Sequence, residues 1–178
     1  MTEVLLGIGS NLNPTHHLRL ALDALNARFG PIATSRVFES QPVGFDSTNL
    51  FYNMVVAIST PLPPEILAEQ LKAMEYQLGR PENARKFASR VIDIDVLTHG
   101  ESVLQKDGLV LPRNDITQYA FVLKPLAELR PHTPHPALGT TYQALWQQFS
   151  TATPQPLTPI HFEWQGRCIS SPDAEHSL

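Results

Sequence analysis

Two carboxylates one residue apart, Asp93 and Asp95, stand in the run Ser89-Arg90-Val91-Ile92-Asp93-Ile94-Asp95-Val96-Leu97, with an arginine three positions before the first. Acids alternating with β-branched aliphatics predict a strand with unlike faces. Ile92, Ile94 and Val96 would enter a core, and Asp93 and Asp95 would project together from the other face, about 7 Å apart along the strand. Such a pair can hold one or two hard cations. Magnesium takes oxygen ligands and keeps coordination positions for water and substrate phosphates, so an arginine beside the pair points to a phosphorylated substrate. The motif alone leaves open a plainer reading, in which two acids on the polar face of a half-buried strand meet only water.

Just upstream, residues 80–90 carry Arg80, Arg85, Lys86 and Arg90, four of the chain's 13 basic residues. A polyanion held together with its cation would account for this density. A solvated basic loop would as well.

The elements that must position these groups belong to a chain of 178 residues, long enough for one domain with a substantial core and short for two. Hydrophobic content of 42%, charged content of 17% and a formal charge of −4 describe an ordinary globular protein. They argue against a dedicated nucleic-acid binder. Cys168 is the only cysteine, so no internal disulfide can form. The first residues lack the basic start and longer apolar run of a signal peptide, and no stretch reaches membrane-spanning length. The expectation is a cytoplasmic protein without membrane or nucleic-acid partners, with a monomer as the default.

Val4 to Ile8 reads as a buried strand ending in the glycine-containing turn Gly7-Ile8-Gly9-Ser10-Asn11. Asn13 is a candidate N-cap with Pro14 at the first helical position; Leu18, Ala21, Leu22, Leu25 and Phe29 follow at helical spacing, and Gly30-Pro31 stops the helix. Strands are expected over residues 32–38 and 51–59, joined by a loop over 39–50. After Pro61, Pro63 and Pro64 a second helix places Leu67, Leu71, Met74 and Leu78 on one stripe and ends at Gly79. Beyond the Asp93 strand, residues 98–101 read as a turn and 109–111 as a short strand. Pro125 is expected to break or start a helix within 119–129, and Tyr142, Leu145, Trp146 and Phe149 suggest a last helix. Residues 1–150 would form the domain. Residues 151–178, with Pro154, Pro156 and Pro159, read as a partly disordered tail containing one edge-strand-like run, 160–164.

The order strand, helix, strand, strand, helix, strand is that of a ferredoxin-like α+β sandwich, a mainly antiparallel sheet with helices packed on it. Together with Gly9-Ser10-Asn11-Leu12, Phe51-Tyr52-Asn53, Glu75-Tyr76-Gln77-Leu78-Gly79-Arg80 and Arg90-Val91-Ile92-Asp93-Ile94-Asp95, it resembles the 6-hydroxymethyl-7,8-dihydropterin pyrophosphokinases of folate biosynthesis over residues 1–149. The resemblance implies transfer of the terminal pyrophosphoryl group of ATP to the pterin hydroxymethyl group, with release of AMP. It implies that Asp93 and Asp95 hold two Mg2+ ions bridging the phosphates, that Arg80 and Arg90 act on the phosphates, and that Glu75, Arg85, Arg90 and Arg113 contact ATP. For the pterin it implies Phe51 and Phe121 as stacking aromatics, Asn53 as reader of the amide-like edge, and Ser40 and Val43 in the loop beside it. Phe51 stands where a tyrosine is common, and Phe87 where a tryptophan is.

The chain departs from the family pattern on the nucleotide side. Arg113 follows Pro112 where a histidine is usual, Tyr119 stands at a later arginine position, Ser89 replaces a proline, and Glu82 and Asn83 thin the basic loop. An impaired relative that binds a pterin as a regulatory protein is therefore the alternative. A nucleotide-sugar transferase, which also uses Asp-x-Asp, is disfavoured by the short chain. His132 and His135 lie among prolines that argue against a helical metal site, His16 and His17 read as solvated, and Cys168 has no basic neighbour in sequence except Arg167.

Overall fold

Leu18, Ala21, Leu22 and Leu25 share one stripe of a helix, and Val4, Leu6 and Ile8 one face of a strand; burying both against each other is what starts the fold. The computed structural model describes residues 1–41, 50–79, 91–149 and 154–173. In chain order the elements are β1 (Thr2–Ser10), α1 (Pro14–Phe29), β2 (Ala33–Thr34), β3 (Phe38–Ser40), β4 (Phe51–Thr60), α2 (Pro64–Gln77), β5 (Asp93–His99), β6 (Leu104–Lys106), β7 (Leu109–Leu111), α3 (Asp115–Gln118), α4 (Ala120–Leu129), α5 (Tyr142–Gln148), β8 (Thr158–Pro159), β9 (Phe162–Trp164) and β10 (Arg167–Ser170).

The main sheet runs β5-β1-β4-β3-β8, with β2 also on β4, and its pairings are antiparallel. One face buries Val4, Leu6, Ile8, Met54, Val56, Ile58, Ile94 and Val96 under α1 and α2. The other buries Leu5, Val55, Ala57 and Leu97 under α4 and α5. Each fully enclosed leucine contributes about 1.5–3 kcal/mol by leaving water. The ferredoxin-like α+β fold expected from the element order is therefore present, with helices on both faces of the sheet.

Several local expectations are corrected. Gly7 and Gly9 lie inside β1, which runs on to Ser10, so no turn forms there. Asn13 precedes α1 in a left-handed conformation (φ 45, ψ 55) and not the extended one a capping side chain needs, so it makes no capping bond; the helical ladder opens with His17 N–H to the Asn13 carbonyl at 3.1 Å. His17 places its Nδ1 2.6 Å from the Leu12 carbonyl. The strand expected over 32–38 divides into β2 and β3, because Ser35 leaves the ladder to bond β4 twice: its N–H to the Val55 carbonyl and its Oγ to the Val55 N–H, both at 2.9 Å.

Pro125 neither breaks nor starts α4; it lies inside the helix and is buried. It sits in the second turn, where the missing N–H removes a single bond to Phe121, and burial of this strongly apolar helix outweighs that loss. The segment after α5 is more than a tail. Its described residues, 154–173, add β8 to the main sheet and fold β9 and β10 into a hairpin. Phe162 is buried in the core beneath Arg19, and the Trp164 indole N–H donates to Asp23 Oδ1 at 2.9 Å. Much of the loop expected over 39–50 and all of the basic segment 80–90 lie outside the described residues.

Candidate active site

The alternation read in the Asp93 run is realised: Ile94 and Val96 enter the core with α2, and Asp93 and Asp95 face the opposite side with Leu97. Register sets the rest of the site. Asp93 lies opposite Gly9, Gly9 opposite Asn53, and Asn53 opposite Phe38; one step along, Asp95 lies opposite Gly7 and Gly7 opposite Val55. Two inter-strand steps place Asn53 about 10 Å from the aspartate strand. The glycines between them make the floor of a trough.

Gly9 leaves room for a specific neighbour. A Cβ there would fall 2.5 Å from Asn53 Oδ1, so any side chain would displace the asparagine amide. On the role that the resemblance implies for Asn53, Gly9→Ala is expected to weaken pterin binding about tenfold, as Asn53→Ala should, because each removes the asparagine's hydrogen bonds. Fluorescence titration with 6-hydroxymethylpterin checks this; a Gly9→Ala protein that binds as the wild type does would rule out the packing argument.

The strand ends are tied down. Ser10 Oγ donates to the Val91 carbonyl at 2.5 Å, fixing the entry to β5 against the exit of β1. On the outer edge of β5, Glu75 is 4% exposed, and its Oε1 accepts the Ile94 N–H at 3.0 Å. Glu75, expected beside ATP, thus holds the backbone between the two aspartates.

Electrostatics within the site are strained in favour of a cation. Burial pushes the Asp95 carboxyl from its ordinary value of 3.8 up to about 8; Asp93 and Glu75 add to this by repulsion, while Arg113 opposes it. Arg113 Nη2 is 3.9 Å from Asp95 Oδ2, and its Nε is 3.2 Å from Asp115 Oδ2. The arginine at the usual histidine position therefore faces the carboxylates of its own chain. Asp115 was not foreseen from sequence; its signal was an acid two residues after a functional cation.

A cavity of about 930 Å³ collects these groups. Its lining includes Asp93, Asp95, Asn53, Ser40, Phe51, Phe121, Glu75 and Arg113 among the expected residues, and Gly7, Gly9, Lys72, Asp115 and Tyr119 besides. Tyr119 stacks on Phe121 with centroids 5.0 Å apart and planes at 23°, so the residue that departs from the family arginine enlarges the aromatic wall. Arg80, Val43, Arg85 and Arg90 lie outside the described residues, as do Phe87 and Ser89. Among the described residues no group of three or more His, Cys, Asp or Glu gathers as a metal site. The Asp93–Asp95 pair still suits magnesium, which takes few protein oxygens and fills its shell with water and phosphate. Elsewhere, Cys168 does have a basic neighbour, His161 Nδ1 at 3.8 Å, and His135 accepts backbone N–H bonds from Ala137 and Leu138.

Known proteins with this pattern agree with the geometry. Residues 5–131 match the model of the family 7,8-dihydro-6-hydroxymethylpterin-pyrophosphokinase. The 2-amino-4-hydroxy-6-hydroxymethyldihydropteridine pyrophosphokinase of Porphyromonas gingivalis is 38% identical over 145 residues, 79% of this chain and 98% of that protein. The folic acid synthesis protein fol1 of Pneumocystis carinii is 29% identical over 164 residues, of which the chain spans 22% of the length. A crystal structure of Plasmodium falciparum HPPK-DHPS shares the fold at a TM-score of 0.67 and 15% identity, covering 83% of this chain and 42% of that one. With motif order, trough and carboxylate pair in agreement with the family match, the chain belongs to the 7,8-dihydro-6-hydroxymethylpterin pyrophosphokinase family.

Proposed function

We propose that this protein transfers the pyrophosphoryl group of ATP to the hydroxymethyl group of 6-hydroxymethyl-7,8-dihydropterin, a step of folate biosynthesis. The observation that carries the reading is the trough in which Asp93 lies across Gly9 from Asn53, with Asp95 beside it opposite Gly7. In the reaction the pterin hydroxyl oxygen bonds to the β-phosphorus, the bond from that phosphorus to the oxygen bridging the α-phosphate breaks, AMP departs with that oxygen, and the hydroxyl proton is lost.

Asp93 and Asp95 would hold magnesium, two ions by the family pattern, which when bound supplies charge screening at the phosphates. Asn53 reads the amide-like edge of the pterin, Phe51 and Phe121 stack on its ring, and Ser40 with Val43 closes the loop side. Arg80, Arg85, Arg90 and Arg113 grip the triphosphate, for which a planar guanidinium can bind two oxygens at once. Lys72, exposed on the cavity rim one turn before Glu75, adds a cation on the nucleotide side.

Use of ATP supports the cytoplasm, and action as a monomer is part of the same proposal. No helix among the described residues is long and apolar enough to cross a membrane. Incubation with ATP, Mg2+ and 6-hydroxymethyl-7,8-dihydropterin should yield AMP and pyrophosphorylated pterin in equal amounts. Formation of ADP instead, or absence of AMP while the pterin binds, would overturn the assignment.

A further inference from the structure

One side chain from the C-terminal segment, beyond the residues matched by the family, reaches the wall of the cavity. Gln155 Oε1 accepts the Ala120 N–H at 2.8 Å, and its Nε2 donates to the Gln118 carbonyl at 3.2 Å. Ala120 opens α4 and Gln118 closes α3, so each brings a backbone group that its own helix cannot satisfy. A single amide thus meets an orphan donor and an orphan acceptor on either side of Tyr119. Tyr119 is the one residue between the helices, extended at φ −124 and ψ 126, and it carries the ring that stacks on Phe121.

The same segment also steadies the opposite wall. Pro159 and Thr158 lie opposite Phe38 and Glu39 in the sheet, and Ile160 N–H donates to the Val37 carbonyl at 3.0 Å, so β8 braces the strand that ends at Ser40. Ser170 Oγ accepts the Val37 N–H at 2.9 Å beside that bond. Two walls of the cavity are held by residues distant in sequence.

We propose that Gln155 is a positioning residue for the pterin: its amide fixes the joint between α3 and α4 and so sets the angle at which the Tyr119–Phe121 pair meets the ring opposite Asn53. It touches no substrate itself. The inference rests on the pterin reading above and deepens it.

The test compares the intact wild-type chain with Gln155→Ala and Gln155→Glu, using 6-hydroxymethylpterin fluorescence and, separately, a non-hydrolysable ATP analogue with Mg2+. Gln155→Ala should weaken the pterin about tenfold through loss of two hydrogen bonds that hold the wall, leave the ATP analogue unchanged, and speed hydrogen exchange at the Ala120 amide. Gln155→Glu keeps the acceptor for Ala120 and loses the donor to Gln118, so its pterin affinity should fall between the two. Unchanged pterin binding in Gln155→Ala would overturn the proposal. Equal loss of both ligands with a lower melting temperature would do so too, since that is the mark of a merely structural role. A wild-type protein that binds no pterin would remove this inference and the proposed function together; a normal wild-type titration beside an unaffected variant removes this inference alone.

Discussion

Asp95→Ala is expected to lower pyrophosphoryl transfer by about a thousandfold or more, since a bound divalent ion is worth several kcal/mol of charge stabilisation. The variant should nevertheless fold. Asp95 makes the folded chain pay for burying a carboxyl beside Asp93, and its loss relieves that repulsion while Arg113 keeps Asp115 as its partner. In EDTA the variant should therefore melt no lower than the wild type.

The direction of the pH effect follows from the same group. In the metal-free folded protein Asp95 titrates near 8, against an ordinary 3.8, so between those values the folded state keeps a proton that the unfolded chain has released. Metal-free stability then falls as pH rises from about 4 to about 8. Asp95→Asn should flatten that slope. Magnesium, which requires the ionised carboxylate, should raise the melting temperature more at pH 8 than at pH 6. Melting curves with and without EDTA read all three, and near-normal turnover in Asp95→Ala would rule out the metal assignment whatever the melting curves show.

What could be read along the chain was what short-range periodicity encodes. The Asp93 strand declared its two faces through Ile92, Ile94 and Val96, and the leucines of α1 and α2 declared their stripes, because one face of each meets a continuous core. Asn53 and Asp93 could each be picked out singly, but their meeting across Gly9 depends on strand order, which no local pattern carries. Local rules failed where a distant contact outweighed them. Prolines at 154, 156 and 159 read as a tail because proline suits edges and loops, yet Phe162 fills the core and Ser170 bonds Val37, 133 residues away. Pro125 gave the same lesson inside α4. Asn13 lost its capping role because it stands in the left-handed region, φ 45 and ψ 55, and not in the extended conformation from which a side chain reaches the N–H groups of the first turn.

The largest effect on stability should come from a pair that no local pattern joins, Arg36 and Glu128. Arg36 lies in the link between β2 and β3, and Glu128 near the end of α4; their side chains are 5% and 4% exposed. Arg36 Nε donates toward both carboxylate oxygens at 3.1 and 3.2 Å, its Nη2 also reaches Oε1, its Nη1 donates to the Ser171 carbonyl at 3.2 Å, and its guanidinium lies over the Phe38 ring. One cation thus ties β3, α4 and the C-terminal segment. Removing only the acid leaves a buried guanidinium without its counter-charge, so Glu128→Ala should cost about 3–5 kcal/mol in urea denaturation. Replacing both residues by apolar ones of similar volume, Arg36→Met with Glu128→Leu, should restore much of that stability, because the desolvation cost disappears with the charges. If Glu128→Ala lost less than about 1 kcal/mol, the size expected of an exposed pair, the pair would have to be solvated in solution. If the double variant stayed as unstable as the single one, the destabilisation would lie in lost packing at α4 and not in the stranded charge.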